Sequence, residues 1–248
     1  NVKEESFAIR DTILGKMAPR FEDAPGALAT SLLPAARVEQ ITREANQIVA
    51  DFWIETHHGD ESGVPVLSND PSWPTLLGTL ALADLADGDC LPAFREAVTS
   101  RELNDAQYLG ALLDWRMNRA NHTRSGGDGA PLPWQRPVPP ALAAHPEYGS
   151  YLNSLAATIT DAAGQIRDRY RTMAADDLPE WAVMLDGDRE LVAELAVWRA
   201  AQNISDDESL PAGPRVPNLK LRDHQQALER RVAAAEHVAR KPDPRWNA

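Results

Sequence analysis

His57 and His58, followed closely by Asp60 and Glu61, bring imidazole and carboxylate groups together within five residues. These are the donor types that a catalytic zinc or a related ion uses. Adjacent histidines on a helix point in different directions and rarely chelate one ion together, and no H-E-x-x-H occurs. A solvated helix end with polar capping is the expected reading, with a metal-dependent hydrolase built on these four residues as the alternative. Asp84, Asp87 and Asp89 miss the one-three-five spacing of a calcium loop. Asp186, Asp188 and Glu190 have that spacing but carry Gly187 too early and lack the distal glutamate. Both sets read as acidic residues at helix ends. Cys90 is the chain's one cysteine, so there is no internal disulfide and no Cys-based zinc site, and a buried structural thiol is expected. Phosphate chemistry lacks its loops: neither G-x-x-x-x-G-K-[ST] nor G-x-G-x-x-G is present. The G-x-S-x-G elbow of hydrolases is missing too. No catalytic residue and no cofactor is expected.

Binding chemistry leaves a clearer trace. Seven tryptophans stand against four phenylalanines and four tyrosines. Trp73, Trp134 and Trp181 each lie beside or one residue from a proline, where an indole can close over a neighbouring helix. Structural bolting is the expected role, and Trp134 with Arg136 as a partner anchor or base-stacking platform is the alternative. The chain carries 25 basic and 37 acidic residues, a net charge of −12, which argues against polyanion binding by the chain as a whole. From Arg215 onward the balance reverses to about +4, through Arg215, Lys220, Arg222, Arg230, Arg231, Arg240, Lys241 and Arg245. A basic terminal helix docked on an acidic body is expected. Contact with nucleic acid or an acidic protein is the alternative.

The elements that must position these residues are helices. Strand alternation is scarce, whereas apolar residues recur at three- and four-residue steps along most of the chain. Helices are expected at about 5–17 and 37–56, from Ser72 through Leu85, and at about 92–100, 104–118, 146–175, 188–203 and 219–240. Ser72 is a plausible N-cap, Pro74 suits a first helical turn, and Asn104 with Gln107 resembles a capping box. Leu76, Leu77, Leu80, Leu82 and Leu85 point nearly all round their helix, which places it at the centre of the fold. The longest helix is expected after Pro146. The terminal helix sets Leu221, Gln225, Leu228, Val232, Ala235 and Ala239 on one seam, as for a packed closing helix.

The fold expected is all-α, an irregular bundle of seven to eight helices. A Pro-rich linker over 131–145 divides it into an N-terminal helical subdomain, 1–130, and a C-terminal one, 146–248. Pro131, Pro133, Pro137, Pro139 and Pro140 exclude a helical interior there and favour an extended hinge. No apolar run reaches the length of a membrane span and no secretory leader opens the chain, so a soluble, cytoplasmic protein without membrane insertion is expected. A start at Asn1 reads as a cut inside a longer polypeptide.

Several blocks are familiar as a set. They run from Pro71-Ser-Trp-Pro-Thr-Leu through Phe94-Arg-Glu-Ala-Val and Arg101-Glu-Leu to Leu112-Leu-Asp-Trp-Arg-Met117, then Leu132-Pro-Trp134 and Pro146-Glu-Tyr-Gly-Ser-Tyr-Leu152. Glu190-Leu-Val-Ala-Glu-Leu-Ala-Val-Trp-Arg-Ala-Ala201 and Pro211-Ala-Gly-Pro214 complete the set. Together, over about residues 36–235, they resemble the C-terminal region of actinobacterial conjugative relaxase/helicases of the MobF type (TraI/TrwC-like). The scarcity of lysine, four among the 25 basic residues, agrees with high-GC coding. The resemblance implies a parent that nicks plasmid DNA with a tyrosine and a histidine-bound metal and unwinds it with a P-loop helicase. The motifs for both activities are missing from this chain, so it implies neither activity here. It implies instead a non-catalytic recruitment domain that contacts the type IV coupling protein or other conjugation proteins. A single-stranded DNA accessory module is the alternative. The candidate contacts are Trp134, Arg136, Arg215, Lys220, Arg222, Arg230, Arg231, Arg240 and Lys241.

Overall fold

The structure, a computed structural model, describes residues 2–103, 108–124 and 129–239. The described residues form α-helices, with two short 3-10 turns and no strand, so the fold is all-α. Eight helices are seven residues or longer: α1 (Val2–Leu32), α2 (Ala35–Thr56), α3 (Trp73–Asp87), α4 (Leu91–Thr99), α5 (Leu109–Arg124), α7 (Gly149–Thr172), α9 (Arg189–Ala201) and α10 (Leu219–Ala239). Two four-residue helices, α6 (Pro140–Ala143) and α8 (Glu180–Val183), complete the set. The chain divides into two compact units, one of Phe21–Ala156 and one of Asn1–Arg20 with Ala157–Ala248. Their boundaries fall inside α1 and α7, and the Pro-rich run 131–140 lies within the unit Phe21–Ala156.

In the unit Phe21–Ala156, α2 packs on α4, α4 on α5, and α3 on α5 and α6. Ile41, Ala45, Ile48 and Val49 form the buried stripe of α2, and Leu76 and Leu80 are fully buried on α3. Phe94, Val98 and Leu113 join them in one core. Ser72 occupies the cap position of α3 but makes no side-chain cap bond. Asp70 links the two helix starts: one carboxylate oxygen accepts Ser72 N–H just before α3 at 2.8 Å and the other accepts Gly110 N–H in the first turn of α5 at 3.1 Å. Pro74 sits in the first turn of α3 and Gly88, at φ 79°, closes it in the left-handed conformation that spares glycine a side-chain clash. The Asn104–Gln107 box lies outside the described residues.

The longest helix is α1, at 31 residues, rather than the one after Pro146, because it runs through Pro19 and Pro25. A proline inside a helix removes the hydrogen bond to the carbonyl four residues back. For Pro19 that carbonyl is Gly15's, and the Asn203 amide, reaching in from the end of α9, donates to it at 3.3 Å. A Cβ on Gly15 would stand 2.9 Å from the Ala200 carbonyl, so the close approach needs glycine. Farther along α1, Gly26 meets Gly78 of α3 so closely that a Cβ on Gly78 would lie 2.9 Å from Gly26 Cα. Tertiary contact along its length thus outweighs the proline cost that a local reading assigns to α1.

In the second unit α9 is buried nearly all round: Leu191, Val192, Ala193, Leu195, Ala196, Val197 and Trp198 are 4 % exposed or less. Asp188 caps it, accepting Leu191 N–H at 3.0 Å. Leu221, Gln225, Leu228 and Val232 of α10 form the buried seam, and α10 packs on α9 as a closing helix.

Candidate functional site

The buried polar side chains, rather than the exposed ones, organise the motifs that carry chemistry-bearing residues. Arg199, 2 % exposed on α9, donates to the carbonyls of Ser205 at 2.5 Å, Leu210 at 2.7 Å, Glu208 at 3.0 Å and Pro211 at 3.2 Å. Its Cζ lies 4.6 Å from the centroid of the Trp181 ring, a cation–π contact that fastens α8 to the same guanidinium. Burial pulls the Arg199 pKa below its ordinary value, while nearby Asp206 opposes that shift. Trp181 in turn donates its indole N–H to Asp206 at 3.1 Å, and Trp198 donates to the Ala212 carbonyl at 2.9 Å.

Gln225 holds the far side of the same loop. Its amide donates to the Pro214 carbonyl at 2.9 Å and the Ala212 carbonyl at 3.2 Å, and its oxygen accepts Val216 N–H at 3.0 Å. The Trp198-Arg199 pair and the Pro211-Ala-Gly-Pro214 block are therefore two halves of one clamp. Gly213, at φ 72°, makes the turn that presents these carbonyls.

A second Trp-Arg pair does comparable work in the unit Phe21–Ala156. Arg116, nearly buried on α5, donates to the carbonyls of Glu102 at 2.9 Å and of Ala97 and Arg101 at 3.1 Å, satisfying the frayed end of α4. Beside it, Asp114 accepts from Thr79 at 2.6 Å and Asn118 at 3.0 Å, joining α5 to α3. Backbone carbonyls are the acceptors in both arginine fans, which is why spacing between side-chain types does not betray them.

The sequence-derived contact residues fall in both units. Trp134 and Arg136 belong to the unit Phe21–Ala156, and both are half-buried. Burial lowers the Arg136 pKa, and its Nη2 is sealed from solvent, so this guanidinium presents little of its charge to a phosphate. Arg222 donates to the Val216 carbonyl at 3.0 Å and the Pro217 carbonyl at 3.3 Å, tightening the entry to α10. Arg231 forms an ion pair with Glu194 of α9. Arg215 and Arg230 are exposed and Lys220 is half-buried. Exposed Asp223 and Glu229 interrupt the basic face of α10. Arg240 and Lys241 lie outside the described residues. The described basic segment therefore uses part of its charge to hold α10 in place.

His57, His58 and Cys90 each have a local environment of their own. His57 stacks on Trp53 at 4.0 Å between ring centroids, and its Nδ1 sits 2.9 Å from the Trp53 carbonyl. The capping reading describes this helix end, which closes through His58 and Gly59 at positive φ. Among the described residues no group of three or more His, Cys, Asp and Glu side chains is placed to hold a metal ion. Cys90 is buried and its pKa is pushed up to about 12, first by burial and then by neighbouring Asp84, the opposite of an activated thiolate. Asp84 is held ionised by Arg37, whose Nε donates to it at 3.0 Å, and also accepts the Cys90 N–H at 3.2 Å.

Large apolar side chains that face water are the feature composition alone does not locate. Val183, Met184 and Leu210 belong to the unit containing α9, and Val66, Tyr108 and Tyr151 to the other. No helix among the described residues is long and apolar enough to cross a membrane. No protein-family model, no curated protein and no solved structure matches the chain.

Proposed function

We propose that this chain is a non-catalytic docking domain of a conjugative relaxase/helicase, acting in the cytoplasm to bring that enzyme to the type IV coupling protein or another transfer component. The observation that carries the reading is the use to which the Trp-Arg blocks put their polar groups. Arg199 and Arg116 donate to backbone carbonyls, fix loops and lie in blocks on which the resemblance rests, and Gln225, outside those blocks, holds the same loop as Arg199. Residues spent in this way build a rigid scaffold for a contact surface, and rigid surfaces bind with a smaller ordering cost. Single-stranded DNA is the weaker partner, since Arg222 and Arg231 are engaged within the protein and Arg136 is largely withdrawn from solvent.

The test is capture of purified coupling protein by the immobilised chain with no nucleotide present. Saturable binding that persists at moderate salt is the expected result. Failure to bind any component of the transfer machinery removes the proposal.

A further inference from the structure

We propose that α8 and the loop following α9 form a docking surface for an amphipathic helix with a basic flank, contributed by a partner protein. This rests on the docking function above and adds where contact is made and by what chemistry. Val183, Met184 and Leu210 are 53, 54 and 55 % exposed, although each sits on backbone that is firmly held. Trp181 anchors α8 against Arg199, and the same guanidinium takes the Leu210 carbonyl at 2.7 Å. Two exposed apolar segments are thus clamped to one buried cation. Apolar side chains kept in water on fixed backbone, with polar residues around them, have the make-up of a recognition patch.

Charge selects the occupant. Glu180, Asp206 and Asp207 are exposed on the same two segments, and the cation that binds those segments together is buried. Asp186, in the turn between α8 and α9, is paired with Arg189 at 2.5 Å. An apolar stripe flanked by Lys or Arg complements both features, in the manner of a helix laid on an apolar surface. Nucleic acid meets carboxylates here and is disfavoured.

The test uses the full chain and three synthetic helical peptides of about 18 residues, Leu/Lys amphipathic, Leu/Glu amphipathic and Ser/Lys, followed by fluorescence anisotropy at near-physiological salt. The Leu/Lys peptide is expected to bind best, with the other two weaker by about tenfold or more. Met184→Ser with Leu210→Ser is expected to weaken Leu/Lys binding by about tenfold. Both side chains are exposed, so an unchanged melting temperature is expected to accompany that loss. Glu180→Gln with Asp207→Asn, which leaves the apolar residues in place, is expected to weaken it severalfold. Equal binding of Leu/Lys peptide to wild type and the Ser variant overturns the proposal, as does tight binding of Leu/Glu. A dimer in sedimentation that the Ser variant dissolves also overturns it, because the occupant is then a second copy of this chain. Coupling protein captured equally by wild type and the Ser variant removes this surface while preserving the docking function. Peptide binding here without coupling-protein capture does the reverse.

Discussion

Arg199 shows how one side chain can hold a loop that has no regular structure of its own. Four backbone carbonyls and an indole face converge on its guanidinium. Removing it takes the donor away from four part-buried carbonyls, each loss costing on the order of 1 kcal/mol. Arg199→Met is expected to lower stability by about 3 kcal/mol or more in urea denaturation. Arg199→Lys should recover little, because a single ammonium cannot span the planar fan; full recovery by lysine would show that the charge alone matters. The Trp-Arg dipeptides are plain in the sequence and their structural character could be inferred from their tryptophans. Their acceptors could not, since carbonyls at positions 205, 208, 210 and 211 carry no sequence identity. The Gly26–Gly78 contact was equally hidden, as two glycines far apart in the chain reveal nothing about meeting. Gly78→Ala forces that α1–α3 contact apart and is expected to cost about 1–3 kcal/mol in thermal unfolding. A neutral effect would mean that the helices shift freely.

Helices were the legible level, and the exceptions have physical causes. Three-four periodicity located α2, α3, α4, α9 and α10 to within a few residues. The full length of α1 was not readable, because Pro19 argues locally for a stop. The amide that satisfies Gly15 comes from Asn203, 188 residues away. For α10 the buried seam was readable, while the engagement of Arg222 and Arg231 depended on the neighbours that folding supplied. His224 on α10 makes that packing sensitive to acid. Its pKa is lowered to about 4, mainly by burial and secondarily by Arg231, from an ordinary value of 6.5. Between those values the unfolded chain takes up a proton that the folded one refuses, so stability is highest above about pH 6.5 and declines as pH falls toward 4. The full span is worth about 3 kcal/mol. Asp84, held below its ordinary 3.8 by Arg37, loses its contribution only at lower pH. His224→Gln is expected to flatten the slope of urea midpoint against pH between 7 and 4 relative to wild type. Parallel slopes for the two proteins would contradict the assignment.

For the whole molecule, a net charge of −12 and a basic terminal segment admit two opposite partners, and the structure shows how part of that basic charge is used. Between residues 215 and 239 there are five basic and three acidic residues, with Arg222 and Arg231 engaged by other groups. If exposed Arg215 and Arg230 supply the phosphate contacts, any binding of single-stranded DNA should weaken with salt on a log–log slope no steeper than about −1.5. A much steeper slope would require cations beyond these two. All-α character was legible at this scale, because few stretches alternate in the strand period. The exposed surface proposed for docking was not, because Val183, Met184 and Leu210 look like core residues until the packing leaves them outside. The central claim is that the chain works by holding a partner, and titration of purified coupling protein into the full chain by calorimetry, without nucleotide, tests it most directly. A saturable association, weakened in the Met184→Ser/Leu210→Ser variant, is the expected result; no heat and no complex with wild-type protein would contradict it.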